Sequence, residues 1–294
     1  MVATCETESM GHVESPKRPF RAVLIACIIT AIVLSGFALA YSRTPSPGRG
    51  GLLDPLSSPR IGAPNKNDGT TFLDDFDGTA IDETKWELNN EWGCCGLSKE
   101  SDLMSGSGVS VSDGVMTLVA ERGSTPSGRA WRSAVVSTRD HFAQLYGVFR
   151  ARMKWSRGNG LWPAFWLLQA GGAGPRPELD IVEAYPDTRK PADANRFNAV
   201  NHYRDASGNM REETRVIRTG VDLTADWHIY ELEWRKESLV VRFDGIEVGR
   251  FTSNIPSVPM FMVLDMVVGS PASRSDATTP SPAFLAIDWV QVTK

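Results

Sequence analysis

Cysteine is scarce in this chain, four in 294 residues, and none of the four can staple distant parts of a fold. Cys5 and Cys27 lie in or before an N-terminal apolar run, and Cys94 and Cys95 are neighbours. No disulfide framework is therefore available, although a vicinal disulfide and a pair of buried thiols both remain open for Cys94–Cys95. A basic excess is missing too, with 31 Lys and Arg against 35 Asp and Glu and a net charge of −4. A polyanion partner such as nucleic acid calls for a basic stripe, so that class is excluded. Also lacking are internal repeats and any long segment with the i, i+3, i+4 apolar spacing of a helix.

What the chain has in quantity is short β-type runs, turn residues and nine tryptophans. GVSVSDGVMTLVAE, YGVFRARMKW, WHIYELEWRKESLVVRFDGIEV and FLAIDWVQVT read as strands, with Asp-Gly at 113–114 and 244–245 as hairpin turns. Many short strands with frequent turns predict an all-β fold, a β-sandwich jelly roll in two packed sheets, over residues 71–294. Residues 43–70 are rich in Pro, Gly and Ser and read as a linker. Residues 1–42 hold Lys17, Arg18 and Arg21 ahead of the apolar run at 22–40, which ends in Ala38-Leu39-Ala40. That pattern favours a cleaved signal peptide over a retained anchor at 22–41, and either one exports the rest of the chain to a secreted or cell-envelope location. Cys27 has too few apolar residues before it for a lipoprotein box.

The chemistry concentrates in PELDIVEA, residues 177–184. Strict alternation along a strand would put Glu178 and Asp180 on one face and Glu183 on the other, in the core. Burying an unpaired glutamate there costs several kcal/mol. A β-bulge at Ile181-Val182 removes the conflict and returns all three carboxylates to one face. Four strand steps then separate the glutamates, about 13 Å at ~3.3 Å per residue. Side chains leaning toward each other leave a gap of about 5–6 Å, near the ~5–5.5 Å of a retaining glycosidase and below the ~6.5–9.5 Å of an inverting one. Like charges so close raise one another's pKa, which suits a general acid. The tryptophans suit two uses, large core residues or flat platforms for sugar rings.

GNGLWPAFWLL at 158–168, followed by ELDIVEA, resembles the catalytic core of family 16 glycoside hydrolases, the laminarinase and lichenase group. That family's active strand reads E-x-D-x-E in lichenases and, with a bulge, E-x-D-x-x-E in laminarinases and agarases; this chain carries the second form. FLDDFDGTAIDETKWE, DWHIYELEWRKESLVVRFDGIEV and AIDWVQV extend the likeness over about residues 70–294. The resemblance implies a concanavalin A-like jelly roll with its cleft on the concave face. It makes Glu178 the nucleophile, Glu183 the acid/base and Asp180 the assisting carboxylate. It places Trp162 and Trp166 in the cleft, with His202 beside the acid/base. Arg132 would bond sugar hydroxyls, Trp131 would stack on a sugar ring, and Trp92 would close the far end of the groove. Asp265 stands where relatives carry a cleft-facing asparagine. No cofactor is required, although many relatives hold a structural calcium, whose ligands match the Asp288 side chain and the backbone carbonyls of Asp75 and Gly114. The implied activity is endo-hydrolysis of a β-linked polysaccharide, β-1,3-glucan first, by a monomer that meets a membrane only through its N-terminal segment if that is uncleaved. Transglycosylation, another β-glycan (mixed-linkage glucan, galactan or envelope glycan) and sugar binding without catalysis are the competing readings.

Overall fold

A computed structural model describes residues 64, 68–88, 98–103, 106–171, 176–270 and 272–294. The leader, most of the linker, Trp92, Cys94 and Cys95 lie outside the described residues. No helix among the described residues is long and apolar enough to cross a membrane.

The strands in chain order are β1 (Thr70–Asp74), β2 (Ser101–Leu103), β3 (Val109–Ser112), β4 (Val115–Arg122), β5 (Trp131–Ser137), β6 (Gly147–Trp155), β7 (Leu161–Gln169), β8 (Glu178–Ala184), β9 (Arg196–Arg204), β10 (Met210–Arg218), β11 (His228–Arg235), β12 (Ser238–Phe243), β13 (Ile246–Phe251), β14 (Met260–Val268) and β15 (Ala283–Thr293). A single 3-10 turn at Pro191–Asn195 precedes β9. One sheet runs β10-β9-β8-β7-β14-β5 and the other β4-β15-β6-β11-β12-β13, joined through the β4–β5 pairing. All pairings are antiparallel except β2 with β5. Two of the turns obey the sequence: Asp113-Gly114 and Asp244-Gly245 each have both residues at positive φ, the geometry of a two-residue hairpin turn.

The core between the sheets follows from alternation. On β14, Met260, Met262, Leu264, Met266 and Val268 point into it, and Phe261, Val263 and Asp265 point the other way. Across the core, Phe149, Ala151, Met153 and Trp155 do the same for β6. Four of the nine tryptophans, Trp86, Trp131, Trp155 and Trp234, serve this core and are essentially unexposed. Burying an aromatic of this size contributes roughly 1.5–3 kcal/mol each from apolar area alone.

Candidate active site

The strand that carries the carboxylates does not alternate. Against β7, Glu183 pairs with Ala164 and Val182 with Phe165, and then the register shifts so that Asp180 pairs with Trp166 and Glu178 with Leu168. Against β9 the same shift falls between Asp180 and Glu183. The extra residue is a β-bulge at Ile181-Val182, and both of those side chains are fully buried in the core. Leu179 and Ala184 are also in the core. Glu178, Asp180 and Glu183 are thereby left on the opposite face, lining one cavity with Trp162, Ala164, Trp166, Asp265 and Val267.

Two indoles organise that cavity from β7. Trp162 Nε1–H donates to Glu183 Oε1 at 3.0 Å, and Trp166 Nε1–H donates to Asp265 Oδ2 at 2.7 Å. From β9, His202 Nε2 lies 3.1 Å from Asp180 Oδ2 and 3.8 Å from Glu178 Oε1. Its Nδ1 is 3.7 Å from Glu212 Oε2, which β10 places directly opposite.

Burial raises the pKa of all three β8 carboxyls; neighbouring acids add to it, and the charge of His202 opposes it at Glu178 and Glu183. The contact between the two neighbours raises the Glu178 carboxyl further and lowers that of Asp180. Glu183 is pulled back by the hydrogen bonds it accepts from Trp162 and from the Tyr185 hydroxyl. Such a set can keep one carboxyl protonated and another ionised near neutral pH, the requirement of acid–base chemistry on an acetal.

A polar frame holds the loops at one end of the cavity. Asp187, 1% exposed, takes a two-pronged contact from Arg189 and a hydrogen bond from Ser273 Oγ at 2.8 Å. These donors hold its carboxyl well below the usual range. Gly160, at φ +74, passes so close to Ser275 that any Cβ would sit 2.3 Å from its backbone nitrogen. Only glycine fits there.

Several sequence-derived site residues end elsewhere. Trp131 is fully buried, with the Arg122 guanidinium over its ring at 4.4 Å and its indole N–H on Ser275 Oγ, so it has no face to offer a sugar. Arg132 pairs with Glu121 of β4 at 2.8 Å and does not line the cavity. His202 stands opposite Glu178, whereas Asn198 faces Glu183, so the histidine serves the Glu178–Asp180 end. Tyr185 escaped the sequence reading, although alternation resumed after the bulge places it on the face of Glu183.

The residues matched to calcium lie on the other sheet. Asp74 pairs with Val290 of β15 and Met116 with Ile287, which brings the backbone at Asp75 and Gly114 to the strands flanking Asp288. Those donors are all oxygens, as a hard cation prefers. The one side-chain carboxylate is already shared, since Arg152 Nη1 donates to Asp288 Oδ2 at 2.7 Å with both groups buried.

The family model for glycosyl hydrolases family 16 matches residues 98–291, which include every strand of the cavity. The chain belongs to glycosyl hydrolases family 16. Endo-1,3-1,4-beta-glycanase EglC of Rhizobium meliloti is 30% identical over 221 residues, covering 72% of this chain and 43% of that protein. Glucan endo-1,3-beta-glucosidase A1 of Niallia circulans is 25% identical over 260 residues, covering 76% and 37%. The chain thus spans about two fifths of the length of these family relatives. Among solved structures, the catalytic domain of a laminarinase from Thermotoga petrophila superposes with a TM-score of 0.64 at 22% identity, over 76% of this chain and 97% of that one. A family 16 enzyme from a mixed-linkage glucan locus of Bacteroides ovatus gives 0.63 at 21% identity, over 75% and 99%. The fold is the family's all-β jelly roll.

Proposed function

We propose that this family 16 glycosyl hydrolase is an exported, retaining endo-β-glucanase that cuts β-1,3-linked glucan. The observation that carries the reading is the bulge, which gathers Glu178, Asp180 and Glu183 in one cavity. Two of the relatives are named for endo cleavage of 1,3-linked β-glycans, which supports the linkage. In this reading the sugar lies across β8, β7 and β14, on the side of Trp162 and Trp166. In this reading Asp180 carries a proton, and Glu178, ionised, attacks the anomeric carbon. Glu183 gives its proton to the departing glycosidic oxygen, and a glycosyl ester forms on Glu178. Water then enters, Glu183 takes its proton, and the ester breaks with net retention. Asp180, held by His202, receives or returns the proton of its neighbour as the charge on Glu178 changes. A structural calcium bound by Asp288 with the Asp75 and Gly114 carbonyls belongs to the same reading, on the sheet away from the cavity.

The test is product analysis with purified protein. Laminarin should yield a ladder of oligosaccharides from the first minutes, the mark of endo cutting, and the newly formed reducing ends should be β-anomers by NMR. α-Anomers would overturn retention. Transfer to added acceptor sugars in preference to water would make the chain a transglycosylase. Absence of any cut in laminarin, mixed-linkage glucan and galactan would remove the enzyme reading.

A further inference from the structure

Asp265 is the fourth carboxyl of the cavity, and nothing in the double displacement uses it. It is 3% exposed and points out of β14 on the side away from the core, next to Ala164, the strand partner of Glu183. Among the described residues its side chain makes one hydrogen bond, accepting the Trp166 indole N–H on Oδ2. Asp265 itself lines the cavity. Among the described residues, the groups around it carry no positive charge to balance an anion. β7 presents Trp162, Ala164 and Trp166, β8 presents Glu178, Asp180 and Glu183, and β5 presents Val135, paired directly with Asp265. β4 lies across the core, on the side of Leu264 and Met266. Arg132 is turned to Glu121, and His202 is turned to Glu178, Asp180 and Glu212. A carboxyl that is buried, unpaired with any cation and faced by three other acids stays neutral.

The geometry points to Asp265 as the residue that positions the sugar ring at the centre of the cleft, binding it as a neutral carboxylic acid whose Oδ1–H donates to a sugar oxygen. This rests on the β-glucan reading above and deepens it. A donor of this kind is lost on ionisation, because a carboxylate only accepts. Ionisation also adds a negative charge beside Glu178 and Glu183. Burial, reinforced by those two glutamates and opposed by the Trp166 bond, pushes the Asp265 carboxyl up to about 8. Substrate binding should therefore weaken above pH 8, and Asp265 should be the cause. Stability carries the same signature. A folded pKa raised above the unfolded value near 3.9 means that the unfolded chain gives up the proton first as pH rises. Asp265 then destabilises progressively from about pH 4 to pH 8.

Asparagine separates the roles, since its oxygen can accept the Trp166 N–H, its amide can donate toward the sugar, and it cannot ionise. Two measurements on wild type, Asp265→Asn and Asp265→Leu decide the matter. The first is the inhibition constant of a thio-linked β-1,3-glucotetraose, which binds without being cut, from pH 6 to pH 9.5. Wild type should lose about tenfold between pH 7 and pH 9.5, Asp265→Asn less than twofold, and Asp265→Leu should bind weakly throughout. The second is Tm against pH with no sugar present, where Asp265→Asn should gain on wild type as pH rises from 5 to 8. Equal alkaline loss in wild type and Asp265→Asn, or a Tm difference flat in pH, overturns the proposal. If the tetrasaccharide binds at no pH, the β-1,3-glucan reading falls, and the donor role with it. The Tm difference would still be seen in that case, so the two failures are distinguishable.

Discussion

Glu178→Gln is expected to lower kcat on β-glucan by a factor on the order of 10⁴–10⁶, the range seen when a covalent nucleophile is removed. The fold should survive. Glutamine has the same shape, and the carboxyl it replaces is raised by burial and by Asp180, so it is a group the native state would sooner hold neutral. A raised folded pKa contributes stability that is full at low pH and is lost as pH climbs. The variant should therefore match wild type in Tm near pH 5 and exceed it at pH 8. Glu183→Gln should cost less, about 10²–10⁴, and its deficit should shrink on an aryl glycoside whose leaving group needs no proton. That contrast separates the roles of the two glutamates. Rates from single turnovers and Tm from the same preparations are the measurements. Retention of more than a tenth of wild-type activity by Glu178→Gln would sink its assignment as nucleophile.

Arg152→Met is expected to destabilise the fold by about 3–5 kcal/mol, the usual cost of stranding one member of a buried ion pair. Arg152 is 5% exposed and Asp288 3%, and the guanidinium lies between Asp288 and the Trp227 ring, 5.0 Å from its centroid. Methionine fills the stem but leaves the carboxylate without its guanidinium. Denaturant unfolding should show a lower midpoint with an unchanged m value. Asp288→Asn in the same background should recover part of the loss, since it removes the stranded charge. Calcium gives an independent reading. If the ion binds through Asp288, saturating calcium should raise the midpoint of Arg152→Met more than that of wild type, because in the variant the Arg152 guanidinium no longer competes with the ion for that carboxylate. A fall of less than about 1 kcal/mol would mean that the pair is solvated in solution.

Much of this was legible before any coordinates, for reasons that can be named. Asp-Gly turns demand positive φ and so mark hairpins in the text itself. PELDIVEA violates alternation in a way that only a bulge or a buried glutamate can explain, and the bulge is far cheaper. What could not be read was the setting of residues whose neighbours come from distant strands. Trp131 sits beside an arginine in sequence and looked like a platform; β4 and the segment at Ser275 bury it. His202 looked like a companion to Glu183 until the β8–β9 register, itself displaced by the bulge, set it opposite Glu178. Asp265 stood out as an odd residue, but its setting among the described residues without a nearby cation depends on where Arg132 and His202 turn, and local sequence carries no trace of that.

The bulge has a consequence for how this chain can change length. Ile181 and Val182 are consecutive residues that both face the core, so either is redundant for the phase of the strand. Deleting one leaves Glu178, Asp180 and Glu183 alternating regularly with single core residues between them. No other side chain of β8 need change sides. Deleting Leu179 instead would throw Asp180 out of phase with Glu178. β8 can therefore be spelled in two lengths that aim the same three carboxylates, and insertion or loss of a codon here is a change to core volume rather than to the active face.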